Sequence, residues 1–439
     1  MITKDYSQAD ITTAELEDLK IIAGVPISAI DLDDYPNLLV FPDSFESYDG
    51  DFGKKVICTI SNDETTLFTN SIVGFIGRNN TRLSIHSRFA GEKEEDFFLH
   101  FMLQKVAKIN LFRLQHTLDQ DSVFDFLLYL FPLYLKKALN QGLYKQYVSH
   151  KYNDERIRGI INVDRHIRFN EPFNGKVAYT TREYSYDNNI TQLIRHTLEY
   201  IAKQDCGKEI LNSDRETKDA VAQIRSATPS YLSSNRQAVL HNNLRPIAHP
   251  FYNEYTPLQR LCVQILRHEE IKYGQEKDEV FGVLIDAAWL WEEYLAGVID
   301  DKFQHLYKDQ GKRFYLFQEI RQQIIPDYIS LDRRIVADAK YIRLDEESLY
   351  GEEKATSIYY KTITYMHRFC SNEAFLLYPH PENKSTQSIV TYTILSETSS
   401  YGGTITKVGL RIPTGCKDFA DFSKRMNDNK NVFRSILCK

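Results

Sequence analysis

In the first hundred residues, apolar side chains either alternate with polar ones or run together between Gly, Asn and Asp turns, in "KVICTI", "TLFTNSIVGFIG" and "TRLSIHSRF". A period of two is that of strands with a buried face, so the chain is expected to begin β-rich. From about Glu94 the period becomes helical, in "EEDFFLHFMLQKVAKIN" and then "DSVFDFLLYLFPLYLKKALNQGLYKQYV". A basic, mixed segment follows, "RIRGIINVDRHIRFN". Then "VAYTTREYSYDNNITQLIRHTLEYIAKQ" predicts strand, turn and helix, with Asp187 or Asn188 as the helix N-cap. Lys208 to Gln275 reads as mostly helical and polar, broken by a loop near "NNLRPIAHPFYNEYTP". At "VFGVLIDAAWLWEEYLAGVIDDKF" a strong helix is expected to open the last domain. Three strands follow, in "KRFYLFQEI" and the two runs of "RQQIIPDYISLDRRIVADAKYIRL", then a helix in "TSIYYKTITYMHRF". Further strands are read in "EAFLLYPH", "QSIVTYTILS" and "GTITKVGLRIP". That order predicts a mixed α/β sheet with helices packed on it. The pattern divides the chain into a β-rich region over 1–95, a mainly helical middle region over 96–275, and a mixed α/β domain over 276–439.

The run from Arg321 to Leu344 carries candidate chemistry. Its two halves are short strands rich in Ile and Val, joined at Leu331-Asp332-Arg333-Arg334. If the turn is Asp332-Arg333, Asp327 falls opposite Asp338 in an antiparallel ladder, and Lys340 points to the same face. Two carboxylates so close repel unless a cation sits between them. Asp338 stands in "IVADAKY", whose small and apolar neighbours predict a buried strand, and a buried Asp needs a partner. A divalent-cation site facing phosphate is an economical account: Mg²⁺ takes one or two carboxylates plus water and substrate phosphate. Lys340 could hold the attacking water or stabilise charge developing on phosphorus. Glu292 or Glu293, in "WLWEEYL", could complete the shell. The competing account is a surface hairpin with Asp and Lys on its solvent face.

Composition changes this picture little. The chain has 439 residues, enough for two or three domains, with 42% hydrophobic and 26% charged residues, an ordinary globular balance. Its net charge of -6 argues against a general nucleic-acid-binding coat, although local basic faces remain open. The six cysteines (Cys58, Cys206, Cys262, Cys370, Cys416 and Cys438) are far apart, with no CxxC pair and no His at metal spacing. Reduced thiols and a cytoplasmic protein are expected. The polar start is no signal peptide, and "VFDFLLYLFPLYL" is too short to span a bilayer, so no membrane partner is expected.

Pro326-Asp327, ten residues, then Asp338-Ala339-Lys340 resembles the motif of the PD-(D/E)xK nuclease superfamily. Around it, "RIRGIINVDRHIRFN…REYSYDNNITQLIRHTLEYI", "LWEEYL", "PD…DAKY", "YYKTITYM" and "FLLYPH" follow the order of McrC-like restriction subunits, including those of LlaJI-type systems. "GFIGRNNTRLSIHSRF…FLHFMLQKV" resembles the family's N-terminal pattern, so the likeness covers roughly residues 70 to 415. It implies a C-terminal restriction-endonuclease-like domain that cleaves double-stranded DNA with Mg²⁺. The metal would be held by Asp327, Asp338 and the Ala339 carbonyl, with Lys340 the catalytic lysine and Glu292 a further helix acid. It also implies a McrB-like AAA+ hexamer as partner, which hydrolyses GTP and recognises the target, and on which the N-terminal part docks to stimulate GTPase activity. Lys361 stands where many of these nucleases have Gln, and is read as a phosphate contact. The first seventy residues match the family weakly. Two rival readings stay open: a docking adaptor without cleavage, and a stand-alone nuclease.

Two other features bear on partners. Arg156, Arg158, Arg165, His166, Arg168, Lys176 and Arg182 form a basic segment. It is either a solvated face balanced by Asp154, Glu155, Asp164 and Glu171, or a contact surface for DNA or an acidic partner, with Arg158 facing the motor. "SYGGT" (Ser400 to Thr404) lacks the GxxxxGK[ST] phosphate loop, which occurs nowhere in the chain, so GTP is expected to be used by the partner and not by this protein.

Overall fold

The computed structural model describes residues 1–27, 37–42, 55–79, 81–91, 95–107, 120–204, 207–272, 280–306, 314–345, 352–395 and 402–437. The chain forms two compact units, Met1–Phe126 with Glu276–Lys439, and Leu127–Gln275. The architecture is mixed α/β throughout.

In the first unit, a five-stranded sheet has the order Ile2–Lys4, Thr81–His86, Ile72–Arg78, Val280–Asp286, Asn37–Phe41. Val280–Asp286 enters this sheet from far along the chain, antiparallel to Ile72–Arg78 and parallel to Asn37–Phe41. This corrects the sequence reading, which placed "VFGVLID" at the head of a helix. The run is apolar up to Asp286, and a strand covered on both faces has the same pattern as a buried helical turn. The helix begins only at Ala287–Ile299, where Asp286 Oδ1 accepts the Ala288 N–H at 2.9 Å. The two strands approach so closely that a Cβ on Gly74, which has φ +123°, would lie 2.0 Å from the Val283 carbonyl oxygen. A small antiparallel sheet, Gln8–Asp10, Thr66–Thr69 and Cys58–Ile60, completes the N-terminal part.

A six-stranded sheet follows, in the order Phe303–His305, Tyr328–Ser330, Ile335–Ala339, Glu373–Pro381, Thr404–Ile412, Ile389–Thr393. Its centre is parallel, and Glu373–Pro381 is buried along nearly its whole length, as "EAFLLYPH" predicts. The helix Glu352–Phe369 brings Ile358, Tyr365 and Met366 into one core with Val336, Leu376 and Ile405. Ala287–Ile299 packs against Phe97–Ala107, with the Phe98 and Trp291 ring centroids 6.1 Å apart and those of Phe101 and Tyr294 5.9 Å apart. The sequence reading took "KRFYLFQEI" as the first of the three strands. Its described part makes only an isolated bridge, Tyr315 with Gln323, and the edge strand is Phe303–His305, which begins at the last residue of the run read as helix. A C-terminal helix, Phe419–Leu437, was not foreseen.

The second unit has a three-stranded antiparallel sheet, Gln146–Asp154, Val177–Ser185 and Ile160–Ile161. The segment "QYV", read as a helix end, starts its first strand. The "RIRGIINVDRHIRFN" segment resolves into the short strand Ile160–Ile161 and the helix Val163–Asn170. Asn188 is the N-cap of Asn189–Ile201, accepting the Ile190 and Thr191 N–H groups at 3.1 and 3.3 Å. Arg215–Ala227, Arg236–Asn242 and Tyr255–Lys272 give the helical stretch expected after Lys208.

No helix among the described residues is long and apolar enough to cross a membrane. Cys58, Cys262, Cys370 and Cys416 are unpaired, and burial pushes the Cys58 and Cys262 thiols up to about 12. Cys206, Cys438 and the Ser400-Tyr401 part of "SYGGT" lie outside the described residues.

Candidate active site

The register of one hairpin brings Asp327, Asp338 and Lys340 together. Tyr328 pairs with Ala337 and Ile329 with Val336, the register that a turn at Asp332-Arg333 dictates, so Asp327 comes opposite Asp338. Local chemistry holds the turn. The Arg333 N–H donates to the Ser330 carbonyl at 2.8 Å, with Arg333 in the left-handed region at φ +60°. Ser330 Oγ accepts the Ile335 N–H at 3.0 Å and donates to Asp332 Oδ1 at 2.7 Å.

Asp338 is 2% exposed on a strand paired on both sides. The Lys340 ammonium lies against its Oδ2, and neither oxygen accepts a conventional hydrogen bond, so Oδ1 stands without a donor. The Lys340 N–H donates to the Leu377 carbonyl at 2.8 Å, which fixes the main chain where the lysine leaves the sheet. Asp327, half-buried, accepts the Ala339 N–H on Oδ2 at 2.6 Å. Ala339, the expected carbonyl ligand, ends its strand paired with Leu377.

Burial, then the charges of Asp338 and Glu292, push the Asp327 carboxyl well above its ordinary range, and Lys340 offsets only part of the effect. Burial opposes the Lys340 ammonium, but Asp338 and Asp327 more than compensate and hold its pKa above the usual value. The expected helix acid, Glu292, sits on Ala287–Ile299. Burial, then Glu293 and Asp338, push its carboxyl up to about 8. Its Oε1 is 2.6 Å from His305 Nε2 on the edge strand, and Tyr328 Oη donates to its carbonyl, tying the helix to the hairpin. Glu293 stands 3.9 Å from His305 Nδ1. The sequence reading missed His305, since no motif links a lone His to an acid thirteen residues earlier. Lys361 lies on Glu352–Phe369 with its ammonium 5.7 Å from the Tyr365 ring centroid, a packing contact.

The sequence reading also missed the support of the centre by the N-terminal part of the same unit. Arg88 donates to Asp5 Oδ2 from Nη2 at 2.7 Å and from Nε at 3.1 Å, and its Nη2 reaches the carbonyl of Tyr341, the residue after Lys340, at 3.2 Å. Its guanidinium lies over the Tyr6 and Tyr341 rings, 4.4 and 4.9 Å from their centroids.

The profile of the family described as McrBC 5-methylcytosine restriction system component matches residues 67–379. The chain belongs to that family. No curated protein matches it. In the solved half-complex of Thermococcus gammatolerans McrB AAA+ hexamers with bound McrC, one chain is 14% identical, over 98% of this chain and 99% of that one, with a TM-score of 0.47. The cryo-EM structure of the Thermococcus gammatolerans McrBC complex contains a chain 14% identical, over 72% of this chain and 89% of that one, with a TM-score of 0.30.

The residues present fit a hard divalent cation. Asp338 Oδ1 is buried without a donor, and Asp327 and Glu292 are held toward their protonated forms first by burial and then by neighbouring negative charges, which a cation between them would offset. Among the described residues, no three His, Cys, Asp or Glu side chains form a ready metal cage. Mg²⁺ does not require one, since it completes its shell with water and substrate oxygens.

Proposed function

We propose that this McrBC family member is the DNA-cutting subunit of its restriction system, hydrolysing phosphodiester bonds at Asp327, Asp338 and Lys340 with Mg²⁺. The observation that carries the proposal is the buried Asp338 beside Asp327 and Lys340, with one oxygen bare. Bound there, Mg²⁺ would supply Lewis acidity and an acidified water. The carboxylates of Asp327 and Asp338, with the Ala339 carbonyl, would hold the ion. Asp338 also holds Lys340 charged and aimed, so that the ammonium can orient the attacking water or meet charge on the phosphate without reorganisation. Glu292, kept largely protonated at neutral pH in the metal-free site, can reach the same charge field and acts as an auxiliary acid.

The partner in this reading is a McrB-like AAA+ GTPase hexamer, which uses GTP and selects the target. The surface that supports docking is in the second unit, where the exposed side chains of Ile160, Val163 and Phe173 stand near Arg156, Arg165 and Arg168 in the chain. Apolar residues exposed in this number in one segment are more typical of a contact surface than of a solvated face. Arg158 is partly committed elsewhere, 3.3 Å from Asp154.

The test is cleavage by the full chain with its partner, GTP and Mg²⁺. Asp327→Ala and Asp338→Asn should each reduce cutting at least about a hundredfold while partner binding persists. Cutting at the normal rate by either variant would refute the site.

A further inference from the structure

A cavity of about 1230 Å³ opens in the first unit beside the candidate centre. Six basic side chains line it (Lys4, Arg88, Arg343, Lys354, Lys384 and Lys417), against two acidic ones, Asp5 and Glu95. This inverts the charge of a chain whose net charge is -6. Asp5 is already taken by Arg88, and Arg343 by Asp345 at 2.6 Å. Lys4 donates to the Ala90 carbonyl at 2.9 Å. Lys354 and Lys417 are exposed, and among the described residues neither is paired with a carboxylate, so their charges are available to a ligand.

The cavity lining starts two residues past Lys340 in the chain, and Asp327, Asp338 and Lys340 are not themselves part of it. Arg88 is bonded to the Tyr341 carbonyl, one residue past Lys340, and Ile342 and Arg343 then enter the lining. Lys354 belongs to the same lining, its ammonium 5.6 Å from the centroid of the Tyr6 ring that also carries Arg88. Tyr6 itself has φ +49°, a left-handed conformation uncommon for a non-glycine residue, and both cations lie close to its ring. The volume exceeds that of most small-molecule sites, which suits an extended ligand. Lysines act as point charges on phosphate and read no sequence, in keeping with a chain whose target is selected elsewhere.

We propose that this cavity seats the sugar-phosphate backbone of one DNA strand leaving the Asp327, Asp338 and Lys340 centre, with Lys354 and Lys417 on its phosphates. The assignment to DNA rests on the nuclease reading above, because the segment that carries Lys340 runs on into the cavity lining at Ile342 and Arg343. The phosphates of a free nucleotide offer the same chemistry, so the test separates the two.

The full chain is titrated against a fluorescein-labelled DNA duplex in EDTA, followed by anisotropy, from about 50 to 200 mM salt. The double variant Lys354→Gln/Lys417→Gln should bind about tenfold more weakly, and its log–log salt slope should fall by about 2, one for each phosphate contact removed. The Lys354→Arg/Lys417→Arg variant should bind as the wild type does. Both lysines are exposed, so unchanged thermal midpoints are expected for both variants. Wild-type affinity and slope in the glutamine variant would overturn the proposal. So would displacement of DNA by GTP at concentrations that leave the glutamine variant unaffected, since that would reassign the cavity to a nucleotide. Cleavage is read separately. A wild-type protein that binds through these lysines yet never cuts with partner and Mg²⁺ would end the nuclease reading and leave the phosphate seat standing. Normal cutting with binding indifferent to both lysines would do the reverse.

Discussion

Asp327 and Glu292 carry raised pKa values, and this makes stability depend on pH in a definite direction. A carboxyl whose folded pKa lies above its unfolded value binds its proton more tightly in the folded state. Its contribution is complete below the unfolded pKa and is lost as pH rises through the folded one. For Glu292 the window runs from 4.5 to about 8, and the upward shift of Asp327 acts with the same sign. Metal-free protein should therefore lose thermal stability over that window. Glu292→Gln should flatten the fall, and Mg²⁺ should restore stability at the alkaline end, where the carboxylates are charged. Thermal midpoints in EDTA and in Mg²⁺, for wild type and Glu292→Gln, check this. Parallel pH curves for the two proteins would show that Glu292 is not held as its surroundings dictate.

At the scale of elements, the hairpin and the cap of Asn189–Ile201 are built by neighbours in sequence, and both were legible in it. Asp332 and Arg333 set the register that makes Asp327 face Asp338, and the Ser330 hydroxyl secures the turn. Asn188, 4% exposed, caps two N–H groups and donates from Nδ2 to the carbonyls of Tyr144, Ser185 and Tyr186. Asn188→Ala leaves those buried groups unpaired, so the protein should lose about 2 kcal/mol of stability. Since Asn188 belongs to the second unit, nicking of residues in 127–275 by a protease should rise first. Limited proteolysis with mass mapping checks the order, and uniform loss of protection across both units would count against it. By contrast, "VFGVLID" and "VIDDKF" were misread. An apolar run closed on both faces, or a three-residue edge strand, has too little period to separate strand from helix.

Over the whole molecule, the candidate centre and the proposed docking surface fall in different compact units. The Lys340 side chain meets Asp338 and its main-chain N–H meets the Leu377 carbonyl, both within the first unit. Lys340→Ala should thus abolish cleavage, a loss of at least about a hundredfold or roughly 3 kcal/mol of transition-state stabilisation, and leave stimulation of the partner's GTP turnover intact. Losing its cation leaves Asp338 buried and unpaired, which should lower stability by roughly 1–3 kcal/mol, so turnover is compared below the variant's unfolding midpoint. Collapse of stimulation together with cutting would show that the two activities are coupled.

What the sequence determined by itself was local or cumulative. The period-two runs, the Asp332-Arg333 turn and the Asn188 cap follow from residues a few positions apart, and the order of motifs sufficed for family membership. The tertiary structure alone decided which distant runs meet. Val280–Asp286 joins strands more than two hundred residues upstream, His305 meets Glu292, and Arg88 reaches past Lys340 to the Tyr341 carbonyl. Such meetings leave no periodicity in either partner. They are selected by burial of apolar faces and by the need to satisfy buried polar groups, two conditions that exist only once the chain has folded.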